Sequence, residues 1–531
     1  MQNTQIKEEV KKAFINKMQV MKEKQSKGEA ILPEDRIHVA VLADSPTVVT
    51  GFGNVCREIL LQMHHTGYYD FEIVGINYDG SPHDLPFKIH PAMNALIMDP
   101  AYREPYGRQK FLDLVGEGRF DIVWVLQDTF IVCEELGQRI QETNEVLPVG
   151  QQFAFMYYFP IDATPKKRWI DSSAMFADMP VVYTNYGHNE VMKLYAVDEN
   201  SLLKDEEKQK NIADGEALEK KLNTVYHGIN TEDFYPIEDA EKVEALREQL
   251  WGKHKDKFVF INVNRNQPRK DLFRSLKAFK ILLERRRAKG KDDVYMYLHC
   301  NVFDNNINLV DISKQLNLVE GDEWAFPDPK RFGPSSGFPT HVVNNIYNAS
   351  DAVISTTLGE GWGLSLTEAM ATGKLIIAPD NTSIPEILGK TDGGAERGLI
   401  VKCNSEFVQQ NDNGRVRPVT SAEDLADKME WAVENKAKLG ALTGPALEWV
   451  KELQWGGQKI GGAWLQLFEN AYEIALVKRA LEVDKEITKK CLRDNIGRND
   501  ECPACPGTKF KNCRHGQMAD LVKIPPQVPT K

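Results

Sequence analysis

The chain has 531 residues, 42% hydrophobic and 27% charged, and its 66 Lys+Arg against 77 Asp+Glu leave a net charge of −11. That length gives roughly two to four domains with sizeable cores, and the charge excludes a whole-chain basic excess, though not a local patch. No apolar run approaches the ~18 residues of a membrane span. The opening stretch around Glu8, Glu9, Lys11 and Lys12 lacks the apolar core of a secretory leader, and eight cysteines in so long a chain do not suggest a disulfide framework. A soluble protein in a cytosolic setting is expected.

Residues 1–35 begin with Val10, Phe14, Met18 and Met21 spaced three or four apart, an amphipathic helix that should pack on a neighbouring domain. Arg36–Leu42 is the first strand. The loop Thr50-Gly51-Phe52-Gly53-Asn54 and a helix over Val55–Met63 follow. This Gly-x-Gly lacks the third glycine of a dinucleotide fingerprint, because Cys56 stands there, and it also reads as a tight turn. Strands at Phe71–Ile76, Asp121–Leu126, Phe153–Tyr158, Val181–Thr184 and Thr224–His227 alternate with helical segments, which predicts a doubly wound parallel sheet. Ligands of such sheets bind at the carboxyl ends of the strands. Asp128, Asp162 and Thr184-Asn185 stand there, although Asp162 also reads as an exposed turn residue before Pro165. His227 reads as a packed strand-end residue.

A charged helix at Glu241–Leu250 leads into a second α/β unit. Its first strand starts at Lys257 and runs into Asn264-Arg265-Asn266-Gln267-Pro268-Arg269-Lys270. A strand at Val294–His299 follows, then a Pro/Gly/Ser-rich loop from Pro327 to Pro339 that should order on ligand binding. The densest stretch runs from Ser350 to Pro379. It holds a buried strand (Asp351–Ser355), a loop with Gly359, Gly361 and Gly363, a helix (Ser365–Ala371), a stop at Gly373 and another buried strand (Leu375–Ala378). Glycines admit a ligand close to the backbone, and the free N–H groups of the first helical turn favour phosphate. Glu360 and Glu368 bracket that turn. A nucleotide sugar reconciles two carboxylates with a phosphate site, since sugar and ribose hydroxyls can donate to the carboxylates while the diphosphate sits on N–H groups. The plain alternative is a capping box, Ser365-x-x-Glu368, with Glu360 solvated. Strand Gly398–Lys402, helices at Ser421–Glu434 and Pro445–Leu453, and an amphipathic segment at Leu465–Ala475 complete the body of the chain.

The tail is separate. Within residues 495–517, Cys502, Cys505, Cys513 and His515 have Cys-x2-Cys-x7-Cys-x-His spacing, which suits tetrahedral Zn²⁺. Cys491 lies outside that spacing, and Cys56, Cys133, Cys300 and Cys403 read as reduced core residues. Residues 488–531 hold nine Lys/Arg against four Asp/Glu, so this module could meet an acidic partner.

The run Glu360-Gly-Trp-Gly-Leu through Glu368-Ala-Met-Ala-Thr-Gly373 closely resembles the Glu-x7-Glu signature of glycosyltransferase family 4. The resemblance extends over about residues 36–475. It implies a GT-B architecture, two Rossmann-like domains (36–236 and 237–445) facing across a cleft, with helices over 446–485 crossing back to the first. It also implies retaining transfer of a sugar from a nucleotide-diphosphate sugar. Glu360 would lie by the donor sugar and Glu368 on the ribose. Gly361, Gly363, Leu364 and Ser365 would cradle the donor, and Gly51 and Gly53 would close over its phosphates from the other domain. Arg265 and Lys270 match the family's Arg-x4-Lys pattern and would hold the departing diphosphate, with Arg269 a solvated neighbour. No Asp-x-Asp motif is evident, so no catalytic metal is expected. Asp162 stands near the point where many members carry a histidine, and Trp324–Pro329 falls where members hold the base. His227-Gly-Ile-Asn230 with Phe234-Tyr-Pro236 resembles the link between the domains.

Other functions stay in view: a dinucleotide-dependent oxidoreductase, which calls for the missing fingerprint, and a non-catalytic nucleotide-sugar-binding adaptor. The segments Tyr158–Asp162 and Asn262–Lys270 resemble glycosyltransferases of bacteriophage genomes. This places a modified DNA base among the acceptors, beside glycans, proteins and small molecules, and implies the host cytoplasm if the chain is viral. The tail resembles the zinc motif of the SecA translocation ATPase, but its first cysteines are separated by two residues where that motif usually has one. It would hold structural zinc and recruit a partner.

Overall fold

The structure is a computed structural model that describes residues 2–93, 99–197, 204–333, 337–391, 393–493, 496, 499–502 and 505–513. The first sheet has seven strands: β1 (Ile37–Asp44), β2 (Tyr69–Ile76), β3 (Lys88–Pro91), β4 (Ile122–Leu126), β5 (Ala154–Phe159), β6 (Met179–Val182) and β7 (Asn223–Thr224). All are parallel, in the order β3-β2-β1-β4-β5-β6-β7. The second domain opens with β8 (Phe258–Asn262) and β9 (Val294–Leu298), followed by a small hairpin of β10 (Phe303–Asp304) and β11 (Ile307–Asn308). Strands β12 (Trp324–Ala325), β13 (Ala352–Ile354), β14 (Leu375–Pro379) and β15 (Leu399–Val401) complete its parallel sheet, ordered β12-β9-β8-β13-β14-β15. An antiparallel hairpin, β16 (Cys403–Val408) with β17 (Val416–Thr420), projects beyond it.

Central strands such as β4, β5, β8 and β14 are buried along their whole length, as continuous apolar runs covered by helices on both faces should be. In β4 the alternation of side chains sends Ile122, Trp124 and Leu126 to one core and Val123 and Val125 to another. Each sheet reverses its winding once, at β1/β4 and at β8/β13, so the crevices that open α/β sheets offer to ligands lie past Asp44 and Leu126 in one domain and past Asn262 and Ile354 in the other.

The segment expected to be helical at Leu465–Ala475 is part of one 33-residue helix, Gly461–Arg493. It lies on the first sheet, with the Trp464 ring 5.9 Å from Trp124 and 4.7 Å from Tyr158, and Arg479 paired to Asp121 at 2.7 Å. The amphipathic leader, Gln2–Ser26, packs on this helix through buried Met18 and Met21, a Phe14–Tyr472 ring contact and a 2.8 Å bond from Lys17 Nζ to the Tyr472 hydroxyl. The strand expected at Thr224–His227 is shorter and ends at Thr224, because the chain turns there into the interdomain link. Edge strand β3 and the β16–β17 hairpin have no counterpart in the sequence reading. Beyond the long helix, β18 (Glu501–Cys502) and β19 (Cys505–Lys509) form a small hairpin whose Cys502, Phe510 and Cys513 pack with Ile487. Among the described residues, no helix is long and apolar enough to cross a membrane.

Candidate active site

The glycine loop after β13 is where the two domains touch backbone to backbone. A Cβ on Gly359 would lie 2.1 Å from the Asp162 carbonyl oxygen, and one on Gly361 would lie 2.7 Å from the Pro160 side chain. Only glycine fits these positions. Gly363, at φ 101°, forms the N-cap of helix Leu364–Ala371. The capping box does not form, since Ser365 lies inside the helix and the Glu368 carboxylate accepts from Tyr347 Oη at 2.8 Å instead.

Glu360 is buried between two cations. Its carboxylate lies 2.5 Å from Lys270 Nζ and 3.1 Å from Arg269 Nη1. Burial works against its charge, but these cations outweigh burial and hold the carboxyl at about 2. Burial also pushes the Lys270 amine below its ordinary value, against the pull of Glu360. The Glu360 backbone is fixed on both sides, its N–H donating to Thr382 Oγ1 at 2.9 Å and its carbonyl accepting from Ser383 Oγ at 2.8 Å. Thr382 sits at φ 48°, a costly conformation for a β-branched residue that its place under Glu360 maintains.

The expected solvation of the two arginines is reversed. Arg265 is the solvated one, its side chain 63% exposed and paired with Asp304 on the β10–β11 hairpin at 2.7 Å. Arg269 turns into the cleft. It binds the Gly359 carbonyl, reaches Glu360, and lies 3.4 Å from Asp162. The cause is local: a 3-10 turn over Pro268–Lys270, with proline at its start, swings both Arg269 and Lys270 toward the loop after β13.

Asp162, at the end of β5, is no exposed turn residue. Its carboxylate accepts from Arg415 Nη1 at 2.7 Å and Arg417 Nη2 at 3.3 Å, and faces Arg269. Burial would raise its pKa, but Arg269, Arg417 and Arg415 together lower it. Arg415 and Arg417 come from the β16–β17 hairpin of the second domain, where both also bind Asp412. A second interdomain anchor is Glu386, which accepts the Asn185 and Tyr186 backbone N–H groups at 3.0 and 2.9 Å and also binds the Tyr226 hydroxyl.

An open cavity of about 490 Å³ lies between the domains, lined among others by Asn54, Arg57 and Glu58 from the first domain and Phe338, Leu364 and Glu368 from the second. Burial raises Glu368 to about 7, with the Tyr347 bond opposing. Gly51 opens the helix Gly51–His65 and faces Leu364, to whose Cδ1 its Cβ would lie 3.6 Å away. Gly53 serves the loop's own geometry: its N–H donates to Thr50 Oγ1, and a Cβ would meet the Ser45 and Val48 carbonyls at 2.7 Å. Trp324, the first residue of the segment expected near the base, has its side chain fully buried in the second-domain core. His227 is a packed residue, as expected; its Nδ1 bonds the Tyr158 hydroxyl at 2.8 Å and burial lowers it to about 3.

The tail brings the Sγ atoms of Cys502, Cys505 and Cys513 within 4.8 Å of one another, a thiolate set that could hold a metal ion. His515 lies outside the described residues. Arg269, Thr382, Ser383, Asp412, Arg415 and Arg417 were not singled out as site residues from the sequence. The last three lie in a polar hairpin without a motif, and only the adjacent Arg269-Lys270 pair carried any signal.

Residues 336–443, which hold Glu360 and Glu368, match the family model described as "Glycosyl transferases group 1". No curated protein matches the chain. Among solved structures, sucrose-phosphate synthase from Thermosynechococcus elongatus superposes with a TM-score of 0.58 at 14% identity, covering 82% of this chain and 99% of that one. Anabaena HepE, in complex with UDP-glucose, gives 0.57 at 13% identity over 82% and 100%. The catalytic domain of starch synthase IV from Arabidopsis thaliana, bound to ADP and acarbose, gives 0.52 at 14% identity over 83% and 99%. The chain has the GT-B fold, and its residues 336–443 are similar to the group 1 glycosyltransferases.

Proposed function

We propose that the protein is a retaining glycosyltransferase that moves a sugar from a nucleotide-diphosphate sugar to an acceptor hydroxyl without a catalytic metal. The observation that carries this reading is the convergence of Glu360, Lys270 and Arg269 beside the N-terminus of helix Leu364–Ala371, with Glu368 on an adjoining cavity. In the reaction the bond from the sugar's anomeric carbon to the diphosphate breaks, a bond to the acceptor oxygen forms, and the acceptor proton leaves with the diphosphate. The leaving group gains negative charge, which Lys270, Arg269 and, from the rim, Arg265 stabilise in a water-poor cleft. Glu360 acts at the sugar hydroxyls and Glu368 at the ribose. Gly361, Gly363, Leu364, Ser365, Gly51 and Gly53 shape the walls around the diphosphate, and Asp162 holds the arginines in place. The UDP-glucose bound to HepE favours a nucleotide sugar as donor.

Cys502, Cys505 and Cys513, with His515 as fourth ligand, hold structural zinc in a cytosolic protein. The tail module recruits the acceptor or a partner, with a modified DNA base, a glycan or a protein as the classes in view. The test is a panel of isotope-labelled nucleotide sugars assayed with and without EDTA, with the product anomer read by NMR. A Cys502→Ser/Cys505→Ser variant serves as the control for zinc loss. Retained configuration and EDTA-resistant turnover are expected; an inverted anomer, or turnover only with added Mg²⁺ or Mn²⁺, contradicts the reading.

A further inference from the structure

Helix Thr340–Ala349 carries three buried polar side chains on one face, Asn344, Tyr347 and Asn348. The asparagines hold the interdomain link. Asn344 Oδ1 accepts from the Tyr235 N–H at 3.2 Å, Asn348 Oδ1 accepts from the Ile237 N–H at 2.8 Å, and Asn348 Nδ2 donates to the Tyr235 carbonyl at 2.9 Å. Lys374, just past the stop of helix Leu364–Ala371, donates to the Asn348 carbonyl at 2.9 Å. The helix is thereby fixed to the link, since sliding or rolling it would leave several buried polar groups unpaired. Tyr347 inherits this rigidity. It is fully buried, its ring stands edge-on to Phe234 of the link at 6.0 Å, and its hydroxyl donates to Glu368 Oε2 at 2.8 Å.

We propose that Tyr347 is a positioning residue of the donor site, a rigid hydroxyl that aims the Glu368 carboxylate at the ribose. The inference rests on the transferase reading and deepens it by naming what holds the ribose ligand. An unbranched glutamate arm on a cavity wall samples several rotamers unless something fixes it, and freezing it on binding would cost affinity. Tyr347 is the one partner of Glu368 among the described residues. By engaging Oε2 it leaves Oε1 and the second lone pair of Oε2 to accept from ribose hydroxyls. The Ser365 carbonyl, 3.3 Å from the same hydroxyl, would satisfy a tyrosine that merely filled the core; the single proton goes instead to the nearer acceptor, which is also the stronger one when ionised. Glu368 opens on the same cavity as Phe234 and Thr340, so the ribose carboxylate, the link and the start of this helix share one wall.

The other charged groups on that cavity are Arg57 and Glu58 from helix Gly51–His65 and Asp233 from the link. The balance at Glu368 is set by burial, which favours the neutral carboxyl, and by the Tyr347 bond, which favours the ionised one. Loss of the bond therefore moves the titration of Glu368 to higher pH. That direction separates a positioning hydroxyl from a space-filling ring, because a loosened core would admit water and move the titration the other way.

The test is calorimetric titration of UDP, 2′-deoxy-UDP and 3′-deoxy-UDP into the full chain across neutral pH, using the wild type, Tyr347→Phe, Glu368→Gln and the double variant. At about pH 7, Tyr347→Phe should weaken UDP binding roughly fivefold and shift the pH midpoint of binding upward. It should also narrow the wild type's preference for UDP over the weaker-binding deoxy analogue, while turnover at saturating UDP-glucose stays within about threefold. In the Glu368→Gln background the same change should cost less than about twofold, because the carboxylate it positions is gone. A Tyr347→Phe protein with wild-type affinity and pH midpoint, beside a weakened Glu368→Gln, overturns this inference alone. An equal loss in both backgrounds does the same, since it makes Tyr347 a packing residue. A wild type that binds no UDP, or a Glu368→Gln that binds as the wild type does, overturns the donor reading beneath it.

Discussion

On either side of the N-terminus of helix Leu364–Ala371, two carboxylates eight residues apart sit in opposite environments. Before the helix, Glu360 is wedged between Lys270 and Arg269 and is held ionised down to about pH 2. Within it, Glu368 has the Tyr347 hydroxyl as its one partner among the described residues and is raised to about 7. Burial acts on both in the same direction, so the nearby cations decide the difference. A carboxylate kept charged beside cations suits the reacting sugar and diphosphate, where charge changes during transfer. One poised near neutrality on an open cavity suits a ribose, whose hydroxyls donate to its ionised form. Divided labour, rather than a matched pair, is what the geometry supports.

The largest effect that sharpens this contrast should come from Glu360→Gln. Losing that charge unbalances Lys270 and Arg269, and turnover should fall about 10²–10³-fold while nucleotide affinity stays within about twofold, as steady-state assays and titration would show. Glu368→Gln should act the other way, with nucleotide affinity about tenfold weaker and turnover at saturating donor nearly kept.

The pH dependence of the wild type carries the same signature. If the ionised carboxylate is what the ribose prefers, nucleotide affinity should drop up to about tenfold per pH unit below about 7, and Glu368→Gln should flatten that dependence in calorimetry across pH 5.5–8. The sign for stability is the reverse. Glu368 has a raised value in the fold, so it favours the folded state fully only below the ordinary carboxyl range, and that contribution is lost as pH rises through about 7. The smallest effect should come from Arg265→Ala. Its exposed side chain is tied to Asp304, and turnover should change by less than about threefold. A loss as large as that of Glu360→Gln would place Arg265, not Arg269, at the diphosphate.

Legibility followed contiguity. The strand, glycine loop and helix around Glu360 could be read because one run of some thirty residues contains them, and strand burial and glycine placement leave local marks. The arginine cluster around Asp162 could not be read the same way, since Asp162 and Arg415 are separated by 253 positions and only the folded chain brings them together. That Arg269, read as a solvated neighbour, turns into the cleft was not legible, because spacing is blind to the 3-10 turn at Pro268 that orients the side chains. The burial of Trp324, first in the segment placed at the base by resemblance, was not legible either, because it follows from pairing beside β9. The cysteine spacing did anticipate the thiol cluster of the tail, because a short hairpin leaves three such ligands little choice of arrangement.

The central claim is that one donor site divides its work between Glu360 and Glu368. Its most direct test is calorimetric titration of a single nucleotide sugar into the wild type, Glu360→Gln and Glu368→Gln, with released nucleoside diphosphate measured on the same samples. The account predicts that Glu360→Gln binds like the wild type and hardly turns over, while Glu368→Gln binds about tenfold more weakly and turns over at saturation. Equal affinities and equal turnover in all three proteins, or no binding by the wild type, would contradict it.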